Sequence, residues 1–148
     1  MNTFGKMVIT LLLVICVYFI PAGLYMRDCG NKLEQCATES VDVLLSVMQA
    51  EKCITKEDYV VISELLYKCG YNEDFRLTVY YYEYSQDGEM YQYSISMEEI
   101  CRALDTEGLY VFTDESYLQL EVPAYSPENI LTRFLYSRKG IIRSVKMS

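Results

Sequence analysis

The chain has 148 residues, room for one modest core and not for two. Hydrophobic residues make up 51% and charged residues 23%, which excludes a disordered or fibrous chain. A net charge of −8 argues against nucleic-acid binding, and the absence of His removes the commonest general base and metal ligand.

From Met7 to Met26 there are 20 consecutive uncharged residues, MVITLLLVICVYFIPAGLYM. As a helix they span roughly 30 Å, the thickness of a bilayer's hydrocarbon layer. Lys6 precedes the run, Arg27 and Asp28 follow it, and Tyr25 stands where an interfacial aromatic would sit. Pro21 predicts a kink or an early end. An uncleaved signal anchor is the first reading. A cleaved signal peptide that leaves a mature N-terminus near residues 23–28, or a buried soluble helix, are its alternatives. A short N-terminal tail before a large acidic domain favours N-in and C-out. The expected organisation is therefore an anchor over residues 1–30 and one extracytoplasmic domain over 31–148, at the cell membrane.

Residues 31–52 read as a continuation of that helix, with Val41, Leu44, Leu45 and Met48 on one face. Thr55 and Asp58 form a capping-box pattern, and Ile54 and Tyr59 stand at the hydrophobic-staple positions. The helix they open stops at Gly70, so 31–69 form a helical hairpin. Phe75 to Ser85 then alternates Phe75, Leu77, Val79 and Tyr81 with Thr78, Tyr80, Tyr82 and Tyr84. Asp87-Gly88 reads as a two-residue turn, and Met90 to Ile95 returns. With that turn Tyr84 faces Tyr91, Tyr82 faces Tyr93 and Tyr80 faces Ile95, a tyrosine ladder on one face. A covering helix would make the ladder part of a core; exposed, it is a protein-docking patch.

Ser96 opens a short helix ending near Gly108. Leu109–Thr113 and Tyr117–Val122 read as a second hairpin. Ser126-Pro127-Glu128 starts a last helix that Gly140 ends, and Ile141–Met147 is a final strand. The fold class is α+β: a transmembrane helix running into a helical hairpin, then an antiparallel sheet with two short helices. Five basic residues and no acid follow Glu128: Arg133, Arg138, Lys139, Arg143 and Lys146. They read as ordinary solvated charge, or as a basic end that docks on an acidic neighbour or an anionic surface.

Six cysteines occur: Cys16, Cys29, Cys36, Cys53, Cys69 and Cys101. No CxxC and no His point to a metal, and no base stands ready for a nucleophilic thiol. No catalytic, cofactor-binding or metal residue is expected, and neither is a small-molecule substrate. In a hairpin turning near residue 53, Cys36 and Cys69 fall at the same height. They are a disulfide candidate, or simply two small buried hydrophobes. Cys29 and Cys101 are a further pairing, which leaves Cys53 odd.

A short N-terminal apolar helix, the segment CITKEDY (Cys53–Tyr59) opening a Leu-rich helix that ends in Gly, and a Tyr-rich strand together resemble a known family. These are the small pilin-like proteins of Gram-positive bacteria encoded with tight-adherence (Tad-type) or related type IV pilus-like machinery. GLYVFTDESYLQLEV, residues 108–122, is similar to their strand–turn–strand. The resemblance implies a membrane-inserted minor pilin or pseudopilin-like subunit with an extracytoplasmic α+β head and no catalysis. A prepilin leader ends in Gly with Glu at the fifth mature position, whereas here Gly5 would leave Lys6 first and Thr10 fifth. The expected function is a non-enzymatic, membrane-anchored assembly subunit whose partners are the membrane and other protein subunits. The alternatives are a secreted or surface binding module released by signal cleavage, and a thiol-based redox protein.

Overall fold

The computed structural model describes residues 2–71 and 75–147. One helix, α1, runs from Thr3 to Glu51, a length of about 70 Å at 1.5 Å per residue. It neither breaks nor ends at Pro21. A π turn over Ile15–Phe19, in which the Ile20 N–H donates to the Ile15 carbonyl, precedes the proline. That wider turn absorbs the missing donor and the ring, so the rod continues. α1 is long and apolar enough to cross a membrane by length and composition, and none of its apolar window is buried. Gly30 is the first buried residue along it. Beyond it Ala37, Val41, Leu45 and Met48 enter the core at helical spacing, with Leu44 packed beside them.

Lys52, in the left-handed region at φ 55°, ends α1 and turns the chain into β1 (Cys53–Thr55). The capping box is complete: Thr55 Oγ1 accepts from the Asp58 N–H, and Asp58 Oδ2 accepts from the Thr55 N–H. It starts α2 (Lys56–Lys68). The helix closes on Gly70 at φ 90°, where the Gly70 N–H reaches the Tyr67 carbonyl and the Tyr71 N–H reaches that of Leu66. These are the two bonds of a Schellman motif, and the first requires the conformation glycine supplies.

Four antiparallel strands form the main sheet in the order β3-β2-β5-β6, with β2 at Arg76–Tyr84, β3 at Met90–Ile95, β5 at Tyr117–Val122 and β6 at Ile141–Lys146. Phe75, Leu77, Val79, Leu118, Leu120 and Val122 are buried on the face turned to the helices. Ile62 and Leu66 of α2 and Ile100 and Leu104 of α3 (Met97–Glu107) close the core from the other side. The expected second hairpin is not formed. β4 (Leu109–Val111) pairs instead with β1, and the Phe112 N–H donates to the Lys52 carbonyl. The turn after Phe112, with Glu115 at φ 65° and Ser116 Oγ bonded to the Thr113 carbonyl, sends β5 into the other sheet.

The last helix, α4, covers Ile130–Tyr136. It begins later than Ser126-Pro127 suggests, because Asn129 caps it through Oδ1 to the Leu131 N–H. Ser137, in extended conformation, ends it before Gly140, and Arg138 then bridges to Tyr125.

Candidate functional site

The β2–β3 hairpin carries the five tyrosines expected to form a ladder, but on two faces. Ser85 N–H donates to the Glu89 carbonyl, and Gly88 sits at φ 79° with its N–H on the Ser85 carbonyl. The loop is thus Gln86–Gly88 rather than Asp87-Gly88 alone, with the left-handed glycine that three-residue hairpin loops use. One added residue shifts the register, so Tyr81 opposes Tyr93, Tyr82 opposes Gln92 and Tyr84 opposes Met90. Since side chains alternate, Tyr80, Tyr82 and Tyr84 lie on the outer face, while Tyr91 and Tyr93 share the helix-side face with Tyr81.

Both faces are exposed near the tip. Tyr84 is 75% exposed, and Tyr82, Tyr91, Tyr93 and Met90 are also open to solvent. Tyr82 packs edge-on against Tyr117 at 5.5 Å. Lower down, the Tyr81 hydroxyl meets the Tyr110 hydroxyl at 3.0 Å. Burial, then the bond to Tyr81, raises the Tyr110 pKa well above the ordinary tyrosine range. β3 forms one edge of the sheet, and its sequence, MYQYSI, holds neither charge nor proline.

Cys36 and Cys69 do meet. The two side chains are close enough for Cys36 to act on the Cys69 thiol, but no disulfide joins them: the expected bridge is not formed. Cys69 is buried and Cys36 is exposed. Burial pushes the Cys69 thiol up, Cys36 adds to that shift, and Arg138 opposes it.

At the same level of α1 lies a cleft of about 450 Å³ between the helix and α4. Arg138, only 7% exposed, crosses its inner wall, with Nε on the Cys69 carbonyl and Nη1 on the Ser137 carbonyl, each at 3.1 Å. Gly30 and Gly70 make the room. A Cβ on Gly30 would stand 2.9 Å from Nη1, and one on Gly70 would stand 3.1 Å from Nε. No carboxylate among the described residues forms an ion pair with Arg138. Arg27, Arg133 and Lys139 line the same cleft, and Glu34 is the acid on its wall, accepting from the Lys139 backbone N–H at 2.9 Å. Beside it the Tyr71 hydroxyl donates to the Lys139 carbonyl at 2.8 Å. Burial, with Glu34 adding to it, pushes the Tyr71 pKa up to about 12.

The basic tail is visible in the sequence, but nothing in the string shows that Arg138 is buried or that two glycines house it. Among the described residues no group of three or more His, Cys, Asp or Glu is placed to hold a metal ion. Comparison with protein-family models, with curated proteins and with solved structures found no match to this chain.

Proposed function

We propose that the chain is a non-enzymatic, membrane-anchored assembly subunit, pilin-like in plan, with its head outside the cytoplasm. The observation that carries the reading is the division of labour along α1. Its first part is apolar and makes no core, whereas Ala37, Val41, Leu45 and Met48 are wholly or nearly buried in the head. A bare apolar helix of this kind in water would associate indiscriminately; in a bilayer it is at its energetic minimum.

The β2–β3 edge supports the assembly half of the reading. Natural edge strands are blunted with charges, prolines or cover, and β3 has none of the first two. β6, the opposite edge, carries Arg143 and Lys146. An uncharged edge flanked by exposed tyrosines is suited to a partner strand from another subunit.

The test is fractionation of cells followed by alkaline carbonate washing, combined with labelling of Cys36 by a membrane-impermeant maleimide. The chain should stay in the pellet and Cys36 should label in intact cells. Release by carbonate overturns the anchor, and labelling only after lysis overturns the outward-facing head. Sedimentation of detergent-extracted chain checks the assembly: a monomer peak in both wild type and Tyr93→Lys removes it.

A further inference from the structure

Where α1 leaves its apolar run, the head presents a second exposed surface beside it. Arg27 is the first charge after Met26, and its guanidinium lies over the Phe134 ring at 5.2 Å. α4 therefore stands at the height where the apolar segment ends. On it Ile130 is 80% exposed and Leu131 77% exposed, and Phe134 is also open. Ordinary surface positions do not collect three such residues on a seven-residue helix, and a short apolar face beside basic groups is the composition of an interfacial contact.

The cleft behind α4 supplies the complementary charge. Arg27, Arg133, Arg138 and Lys139 line it against the single carboxylate Glu34, which is engaged by a backbone N–H. Arg133 spends its Nε and one Nη on the carbonyls of Pro127 and Glu128, so its fork is held in place. Arg138 is more telling: the residue is only 7% exposed, and a buried guanidinium costs several kcal/mol to desolvate and is ordinarily paired with an anion. Here only backbone carbonyls meet it among the described residues.

We infer that this cleft binds the phosphate of an anionic lipid headgroup, with Ile130 and Leu131 seated in the bilayer that α1 crosses. The inference rests on the membrane-anchored reading, and the lipid follows from continuity with the apolar run together with the sign of the cleft. Four cations around one phosphate give charge-assisted bonds, and basic residues near an anionic surface each add to the attraction. The head would then lie clamped to the membrane at α4 instead of swinging freely on α1.

The chain contains no Trp, so a single Trp reports position without background. Full-length Leu131→Trp is reconstituted in phosphatidylcholine vesicles with or without phosphatidylglycerol, each lipid in turn brominated on its chains. The expected result is blue-shifted emission, with quenching by brominated phosphatidylglycerol at least about twofold above that by brominated phosphatidylcholine. Arg133→Gln with Lys139→Gln, both at exposed positions, should erase that preference, as should Arg138→Gln if it folds. Leu13→Trp, within the apolar run, separates the two failures. If Leu13→Trp is quenched and Leu131→Trp is not, the anchor stands and the lipid contact is overturned. Failure of both to quench removes the anchor and the inference with it. Should inorganic phosphate or an acidic peptide produce the Leu131→Trp shift in pure phosphatidylcholine, the cleft takes that ligand and the lipid assignment falls.

Discussion

Replacing Gly30 with alanine sets two effects of opposite sign against each other. An interior helical glycine costs roughly 1 kcal/mol relative to alanine, so propensity alone makes the variant more stable. The new Cβ, however, would stand 2.9 Å from Arg138 Nη1, closer than real Cβ atoms approach their neighbours. A long side chain usually swings away from such a contact. This one is pinned, by the Cys69 carbonyl at Nε, by the Ser137 carbonyl at Nη1, and by Gly70 against its far side. Moving it forfeits most of one charge-assisted hydrogen bond, about 1.5–3 kcal/mol, which outweighs the gain. The net expectation is a loss of about 1 kcal/mol, or about 4 °C for a head of this size. Gly23→Ala on the same helix is the control, since nothing lies within 4 Å of a Cβ there. Near-ultraviolet circular dichroism in detergent micelles follows the head as it melts, since 13 of the 15 tyrosines lie there. If Gly30→Ala melts above wild type, Arg138 is not held against α1 and does not wall the cleft.

Tyr71→Phe removes the bond to the Lys139 carbonyl and should cost about 1 kcal/mol at neutral pH. Because the folded-state pKa is raised from 10.0 to about 12, this contribution is complete below pH 10 and fades as pH rises through 12; a wild-type-to-variant gap in melting temperature that stays constant over that window would refute it. Leu120→Ala, at a fully buried position opposite Leu77, should cost about 2–5 kcal/mol by denaturant titration, and a loss near zero would mean the sheet face is not packed. In the folded chain Cys36 should alkylate well before Cys69, whose thiol is buried and raised in pKa; equal rates by mass mapping would contradict the packing.

Local chemistry was legible wherever one residue decides the conformation. Thr55 with Asp58 marks a helix start, Gly70 and Gly108 mark ends, and the alternation after Phe75 marks which side chains enter the core. Counting from the turn near residue 53 placed Cys36 beside Cys69, although they remain thiols. What was lost depends on counts or on distant neighbours. One residue in the Gln86–Gly88 loop moves Tyr91 and Tyr93 to the opposite face from Tyr82 and Tyr84, and Asp-Gly looks the same in either loop. β4 pairs with β1 and not with β5, and its partner, some fifty-six residues earlier, leaves no mark in the sequence near Leu109. Pro21 does not end the helix for a similar reason: whether a proline does so depends on the preceding turn's ability to widen. The basic tail could be counted, but the burial of Arg138 needed Gly30 and Gly70 brought together from two other elements.

The sheet gives the head a direction that bears on how such a subunit would work. Arg138 and the start of β6 lie near Gly30, whereas at the far end of β6 the Lys146 carbonyl accepts from Gln49, two residues before α1 ends. β6 thus runs along α1 away from the apolar segment, and Arg143 pairs with Asp42 midway. β5 is antiparallel to β6 and β2 is antiparallel to β5, so β2 also runs outward. Its pairing with β5 stops at Tyr80, and Tyr81–Tyr84 with their β3 partners project beyond. From Gly30 to Glu51 the helix covers about 30 Å, which separates the basic cleft from the tyrosine tip. The two surfaces cannot serve one small ligand. A charge-bearing contact at the end nearest the apolar helix and an uncharged aromatic edge at the other suit a head fixed at its base and joined at its tip. Substitutions at the two ends, Arg133→Gln and Tyr93→Lys, should accordingly act independently, with additive effects on lipid preference and on sedimentation. A variant at either end that altered both readouts would mean that the head transmits between them or does not stand in this orientation.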